Sequence, residues 1–271
     1  MEILKSIILG IVEGITEWLP ISSTGHMILV NEFMNTNKGF LNSQLYLYVI
    51  QLGAILAIAT LYFKKLNPFS PSKTNKEKKE TWDMWFKVIV ACLPSAVFGL
   101  LLNDFMDSIS TPVMVSTMLI LYGILFLIVE RRNKAPQICD MNQMTYKTAL
   151  LIGLFQVLSI IPGTSRSGAT ILGAILIGTS RSLAAEFSFF MAIPVMIGVS
   201  LLKIVTNTYV MTASEWSLLL IGMAIAYIVS ILSVKFLVSY VRRHDFKVFG
   251  IYRIILGILV IIYFALTKNI F

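Results

Sequence analysis

Apolar residues gather along this chain in long, nearly unbroken blocks, unlike the two-residue alternation of strands or the single stripe of a surface helix. Five blocks, at 44–63, 84–102, 112–130, 184–205 and 215–240, come up to the roughly 20 residues that a helix needs to cross a bilayer. A sixth, 247–267, carries Arg253 near its start. Two further apolar regions do not fit as single spans. Residues 3–34 are cut at Trp18-Leu19-Pro20 and residues 148–178 at Ile161-Pro162-Gly163. Each piece is about 12–17 residues long, which suits half-helices that enter the membrane and turn back. The pattern predicts an all-α polytopic membrane protein with about six transmembrane helices plus two re-entrant helical hairpins. It forms a single integral membrane domain over 1–271.

The connections sort by charge. Residues 64–83 hold Lys64, Lys65, Lys73, Lys76, Lys78 and Lys79, with Pro68 and Pro71, and read as a solvated loop. Residues 131–147 hold Arg131, Arg132, Lys134 and Lys147, and residues 242–247 hold Arg242, Arg243 and Lys247. Residues 103–111 and 206–214 contain no lysine or arginine. This alternation follows the positive-inside rule. It puts 64–83, 131–147 and 242–247 in the cytoplasm, and 35–43, 103–111 and 206–214 outside. The first broken region then enters from outside and the second from inside.

Composition narrows the class. The chain is 57% hydrophobic and only 13% charged, against roughly 25% charged in soluble domains. So little charge cannot coat a soluble particle, which excludes an ordinary cytosolic enzyme, a disordered chain and a disulfide scaffold. The net charge of +8 is read as topology signals on the loops, so no nucleic-acid partner is expected. Cys92 and Cys139 lie far apart with no metal-like spacing. Glu13 and Glu17 interrupt the N-terminal apolar run and no small-residue cleavage site follows, so that segment is expected to be retained.

A shift of 143 positions aligns the two broken regions. Gly10 meets Gly153, Glu13 meets Gln156, Thr16 meets Ser159, Ser22 meets Ser165, and Gly25 meets Gly168. The spans 44–63, 84–102 and 112–130 separate the two regions, and an odd number inverts one copy relative to the other. The copies cover approximately 1–130 and 146–267. Inverted repeats with broken helices usually place the working site where the breaks meet.

The breaks are also where the chemistry sits. Glu13 and Glu17 are four residues apart, on one face of the first half-helix. Carboxylates at membrane depth are costly unless a cation, a proton or water is near, so the pair reads as a metal or proton site. Pro20-Ile21-Ser22-Ser23-Thr24-Gly25-His26 then breaks and restarts the helix. The restart offers unpaired N–H groups to an anion, with three hydroxyls in the same turn. His26 follows Ser22 by four residues and Ser23 by three, within reach of either. The second break, Pro162-Gly163-Thr164-Ser165-Arg166-Ser167-Gly168, repeats this logic and adds an arginine, whose fork matches phosphate oxygens. A structural carboxylate such as Glu186 is the alternative partner for Arg166. Arg253 can reach the same site or snorkel to the cytoplasm. Together these groups suit a highly negative headgroup whose tail stays in lipid.

The two polar runs, Glu13-Gly14-Ile15-Thr16-Glu17-Trp18-Leu19-Pro20-Ile21-Ser22-Ser23-Thr24-Gly25-His26 and Pro162-Gly163-Thr164-Ser165-Arg166-Ser167-Gly168-Ala169-Thr170, resemble the undecaprenyl-diphosphatase family, also called bacitracin-resistance proteins. The resemblance covers essentially the whole chain, including Glu186-Phe187-Ser188-Phe189. It implies hydrolysis of undecaprenyl diphosphate, a C55 isoprenyl diphosphate, to the monophosphate and inorganic phosphate on the outer face of the bacterial plasma membrane. That step recycles the lipid carrier of peptidoglycan synthesis and confers resistance to bacitracin. It also implies a divalent cation, Mg2+ or Ca2+.

On that footing Arg166, Ser165, Ser167 and the amides near Gly168 hold the diphosphate, with Ser22, Thr24, Gly25, Thr164 and Arg253 as further substrate contacts. Glu13 and Glu17 bind the cation, or Glu17 orients His26. Ser23 is the nucleophile with His26 as its base and later its acid. Alternatively His26 activates water directly and Ser23 and Thr24 only bind. A flippase or transporter of a polyprenyl phosphate lipid would use the same site, but a carrier has no need of a proton-transfer group beside serines. A homo-oligomer is a further expectation. His244, in the turn Arg242-Arg243-His244-Asp245, reads as a solvated loop residue.

Overall fold

The computed structural model of the chain describes residues 1–34, 39–132 and 134–267. The helices in order are α1 (Glu2–Thr16), α2 (Ser23–Phe33), α3 (Gln44–Val49), α4 (Gln51–Leu61), α5 (Phe63–Leu66), α6 (Asn75–Ser108), α7 (Pro112–Arg131), α8 (Tyr146–Val157), α9 (Arg166–Ile177), α10 (Arg181–Thr206), α11 (Ala213–Val241) and α12 (Lys247–Thr267). A 3-10 turn, Phe40–Asn42, precedes α3, and another, Leu158–Ile160, ends α8. The one pairing of extended backbone among the described residues is a bridge between Ile138 and Thr179.

Among the described residues, six helical stretches are long and apolar enough to cross a membrane: Gln44–Leu61, Asn75–Leu102, Pro112–Arg131, Arg181–Thr206, Ala213–Val241 and Lys247–Thr267. They coincide with the six apolar blocks of the sequence, so the chain is an all-α, multi-pass membrane protein. The broken regions become the pairs α1–α2 and α8–α9, no member of which is long enough to span. The order of two short helices followed by three spans thus occurs twice. Packing crosses between the halves: α1 lies along α11, α8 along α6, α7 along α12, and α4 against α10.

One boundary departs from expectation. The loop expected at 64–83 is already helical at Phe63–Leu66 and helical again from Asn75. The cause is local. The Thr74 amide and hydroxyl donate to Glu77 Oε2 at 2.7 and 2.8 Å, while the Glu77 amide donates to Thr74 Oγ1, a capping box that starts α6 well before its apolar run. Of the connection expected at 35–43, positions 35–38 lie outside the described residues.

The basic connections share one end of the molecule. Lys65 is hydrogen-bonded to Glu186 near the start of α10. Arg181, at the head of the same helix, grips Glu130 at the end of α7 through Nε and Nη2, at 3.0 and 2.5 Å. Glu130 also accepts the Phe246 amide from the turn before α12, at 3.1 Å. Tyr146, which opens α8, donates to Asp83 in the first turns of α6 at 2.7 Å.

Without a hydrophobic force between helices in lipid, close backbone approach does much of the joining, and small residues permit it. A Cβ on Gly10 or Gly14 of α1 would lie 2.7 Å from the Gly222 carbonyl oxygen or 2.8 Å from that of Ala226 in α11. Between α7 and α12 the same holds for Gly123, whose added Cβ would lie 2.6 Å from the Gly250 oxygen. Both obstacles are main chain, which cannot swing aside. Gly123→Ala should therefore separate α7 from α12 and cost about 1–3 kcal/mol by overpacking. The check is thermal unfolding in detergent, where the midpoint should fall, while Gly99→Ala, whose Cβ meets nothing within 4 Å, should not lower it.

Candidate active site

Each break is closed by a serine in an uncommon backbone state. Ser22 has φ 73° and Ser165 has φ 74°, and these are the only non-glycine residues with positive φ among those described. Such conformations cost about 1–3 kcal/mol each and persist only where surroundings hold them. Here each serine caps the helix it starts. Ser22 Oγ accepts the Gly25 amide at 3.4 Å, and Ser165 Oγ accepts the Gly168 amide at 3.1 Å. The two serines are 143 positions apart, as the sequence alignment pairs them.

Broken helices free main-chain carbonyls, and here buried side chains take them up. Arg253 is wholly buried, and its guanidinium reaches three of them, along with two carbonyls of α7. Nη1 donates to Pro20 O at 3.1 Å in the first break. Nη2 lies 3.1 and 2.9 Å from Gly163 O and Thr164 O in the second. Nη2 and Nε also face Met118 O and Leu119 O of α7 at 3.3 and 3.4 Å. Arg253 therefore does not snorkel; it bolts both breaks to α7. Ser167 Oγ adds a second clasp, 3.2 and 3.3 Å from the carbonyls of Glu17 and Leu19.

Above this scaffold the two breaks exchange charge. Arg166 Nη2 donates to Glu17 Oε1 at 2.9 Å, and Ser23 Oγ donates to Glu17 Oε2 at 2.8 Å. Arg166 Nη1 also donates to Ser188 O at 2.8 Å, and the guanidinium sits over the Trp18 ring at 5.6 Å. Glu186, the alternative partner, is taken by Lys65. Glu13 lies one turn before Glu17, 1% exposed, with Oε1 lacking any hydrogen-bond partner. Its counterpart Gln156 is engaged elsewhere, donating to Ser95 Oγ at 2.5 Å.

His26 stands apart from this line. Its Nδ1 lies 2.7 Å from Ser22 O and its Nε2 lies 2.6 Å from the Tyr252 hydroxyl. The expected Ser23–His26 hydrogen bond is thus absent, because Ser23 gives its proton to Glu17 instead. The candidate residues also divide by access. Ser23, Thr24, His26, Ser165 and Arg166 are at least partly open, whereas Ser22, Gly25, Thr164, Ser167 and Gly168 are buried and serve the scaffold. Tyr252, Ser188 and Trp18 were not singled out by sequence. Trp18 and Ser188 lie within stretches quoted for the family resemblance but carried no assigned role, and Tyr252 sits in an apolar run whose pattern gives no sign of a partner.

The donor set fits a hard divalent cation in part. Glu13 and Glu17 offer carboxylate oxygens, the type that Mg2+ and Ca2+ prefer, and the unpartnered Glu13 Oε1 is a buried acceptor in want of a donor. No group of three or more histidine, cysteine, aspartate or glutamate residues with metal-binding spacing occurs among the described residues. Two carboxylates suit an ion whose other positions are filled by water and phosphate oxygens, not an all-protein cage.

Comparison with known proteins places this arrangement in context. Residues 6–259 match the family described as bacitracin resistance protein BacA. The chain is 57% identical over 267 residues to the undecaprenyl-diphosphatase of Latilactobacillus sakei subsp. sakei (strain 23K), covering 96% of this chain and 97% of that one. It is 55% identical over 273 residues to the undecaprenyl-diphosphatase of Streptococcus thermophilus (strain ATCC BAA-250 / LMG 18311), covering 98% and 94%. To that of Enterococcus faecalis it is 54% identical over 271 residues, covering 98% of each.

The Arg253 bolt makes a stability prediction. Lysine keeps the charge but offers three donors from one atom and cannot span carbonyls on three segments. Arg253→Lys should leave several buried carbonyls unpaired, at about 1–3 kcal/mol each. A clear drop in the unfolding midpoint is expected; an unchanged midpoint would show that the breaks hold without it.

Proposed function

The chain belongs to the bacitracin resistance protein BacA family, and from that premise we propose that it hydrolyses undecaprenyl diphosphate to undecaprenyl phosphate and inorganic phosphate. The product is the lipid carrier of peptidoglycan synthesis, and its recycling confers bacitracin resistance. The observation that carries the chemistry is the continuous line Ser23–Glu17–Arg166, which joins a hydroxyl, a carboxylate and a guanidinium across the two breaks.

In this reading the halves are inverted repeats. The pairs α1–α2 and α8–α9 are re-entrant and approach each other from opposite leaflets. The site opens to the outer face of the plasma membrane, with the isoprenyl tail in lipid. Arg166 and the open hydroxyls of Ser165 and Thr24 receive the diphosphate, the guanidinium turning one edge from Glu17 to the phosphate oxygens. Ser23 Oγ attacks the terminal phosphorus, its proton passes to Glu17 Oε2, and undecaprenyl phosphate leaves. Little basicity is required of Glu17, because phosphoryl transfer depends mainly on positioning and charge neutralisation. Water then attacks the phosphoserine phosphorus, its proton passing to His26 Nε2, while Glu17 returns its proton to the departing Ser23 Oγ and inorganic phosphate is released. Glu13 and Glu17 would hold a divalent cation, which when bound offsets phosphate charge. A carrier of the same lipid would need the clamp but not a hydroxyl hydrogen-bonded to a carboxylate, so the Ser23–Glu17 pair favours hydrolysis over transport.

Purified protein in detergent has no second compartment, so phosphate release there tests hydrolysis alone. Release of one phosphate per lipid is expected; lipid binding with no release would return the site to a carrier. Arg166→Ala should lower the rate about a hundred- to thousandfold, the usual loss for one pre-organised donor to transition-state charge. Arg166→Lys should recover only part of this, since ammonium lacks the fork. A normal rate in folded Arg166→Ala would overturn the clamp.

Single-turnover reaction with terminally labelled diphosphate should leave label on Ser23 after acid quench, and none in Ser23→Ala. Turnover with no labelled serine would make water the nucleophile and His26 its base.

A further inference from the structure

His26 is held at both nitrogens, and the two partners differ in kind. The Ser22 carbonyl oxygen at 2.7 Å can only accept, so Nδ1 must carry a proton. In the neutral ring the lone pair is then on Nε2, which faces the Tyr252 hydroxyl at 2.6 Å. The two rings are parallel within 2°, with centroids 5.6 Å apart, so the phenol lies beside the imidazole and meets it edge to edge. Tyr252 adjoins Arg253 on α12. The residue that bolts the breaks together therefore fixes its neighbour's place against His26. Tyr252 is 42% exposed.

We propose that Tyr252 is a positioning residue for the hydrolysis, acting through His26. It keeps Nε2 in its lone-pair form and aims the ring until water or the leaving phosphate displaces the phenol. This rests on the phosphatase reading above. Nδ1 is spent on main chain, so Nε2 is the only ring atom able to exchange a proton with the reactants. Tyr252 holds that atom before substrate arrives. Without the hydroxyl, the ring is tethered at one nitrogen only and can pivot about that bond. Misplacing a reacting group by about 1 Å costs on the order of a hundredfold.

The test reads His26 directly. The chain has two histidines, and His244→Gln, in a turn outside the site, leaves a single imidazole for nitrogen-15 NMR in detergent. The parent should show a protonated Nδ1 and an Nε2 resonance displaced upfield by its hydrogen bond. In Tyr252→Phe that resonance should move downfield to the value of an unbonded nitrogen, and kcat should fall about ten- to a hundredfold with KM within twofold. Replacing Tyr252 with 3-fluorotyrosine keeps the shape and strengthens the donor, so the resonance should move further upfield even if Tyr252→Phe folds poorly. An Nε2 resonance indifferent to both replacements, or a Tyr252→Phe kcat within twofold of the parent, overturns the proposal. The two readings fail separately. Absence of phosphate release from the parent sinks the phosphatase reading while the resonance still reports on Tyr252. Release with an indifferent resonance sinks the positioning role alone.

Discussion

The fold depends on one requirement: a helix broken inside a bilayer must find new partners for the carbonyls it releases, because lipid supplies none. Two such breaks in one molecule double the demand. Arg253 meets part of it from a single position, reaching Pro20 in one break and Gly163 and Thr164 in the other, and reaches Met118 and Leu119 of α7 besides. A buried guanidinium with no carboxylate beside it would ordinarily be prohibitive. Five carbonyl dipoles replace the missing counter-ion. Charge and breaks are mutually necessary: without the carbonyls the arginine could not be buried, and without the arginine the carbonyls could not be left at that depth.

That arrangement frees the second arginine for chemistry. Had Arg253 faced Glu17, the only buried acid–base pairing at the site would have been structural. Because Arg253 is satisfied by main chain, Glu17 is left to Arg166 and Ser23. The strained serines belong to the same logic. Ser22 and Ser165 turn the chain so that each new helix starts at the junction, and the capping bonds to Gly25 and Gly168 hold them there. Backbone strain is confined to the two breaks among the described residues, whereas α1 meets α11 and α7 meets α12 through small residues.

Much of this was legible in the sequence, for physical reasons. Bilayer thickness fixes helix length, so six apolar blocks became six spans, with boundaries shifted by a few residues except at the start of α6. Proline and glycine mark breaks through their backbone limits alone, so both junctions stood out. The start of α6 was misjudged although Thr74 and Glu77 carry its capping signal, because six lysines between 64 and 79 outweighed one local hydrogen-bond pattern. Partner choice was harder to read. Sequence spacing put His26 within reach of Ser23, but one bond rotation decides whether a serine faces a histidine or a carboxylate, and Glu17 won. Tyr252 was invisible because its contact joins positions 226 residues apart. The two roles open for Arg253 were undecided for the same reason: depth in a helix bundle is a property of packing, not of spacing.

The two breaks share a positive-φ serine cap and differ in chemistry, and the difference bears on what the site can do. Where the first half has Glu13, the second has Gln156, already hydrogen-bonded to Ser95. Where the first has Ser23, the second has Arg166; where the first has His26, the second has Ala169. A symmetrical pair of breaks would present like charges to like and could do no more than surround a ligand. Here one half brings carboxylates, a hydroxyl and an imidazole, and the other brings the guanidinium. In the proposed reaction, a phosphoryl group held between them would meet a nucleophile on one side and a counter-charge on the other, which is the polarity that in-line displacement requires. Sliding the halves relative to each other would separate Ser23–Glu17 from Arg166 while leaving each intact. The clasps of Arg253 and Ser167 across the junction therefore hold Glu17 and Arg166 in register as well as supporting the fold.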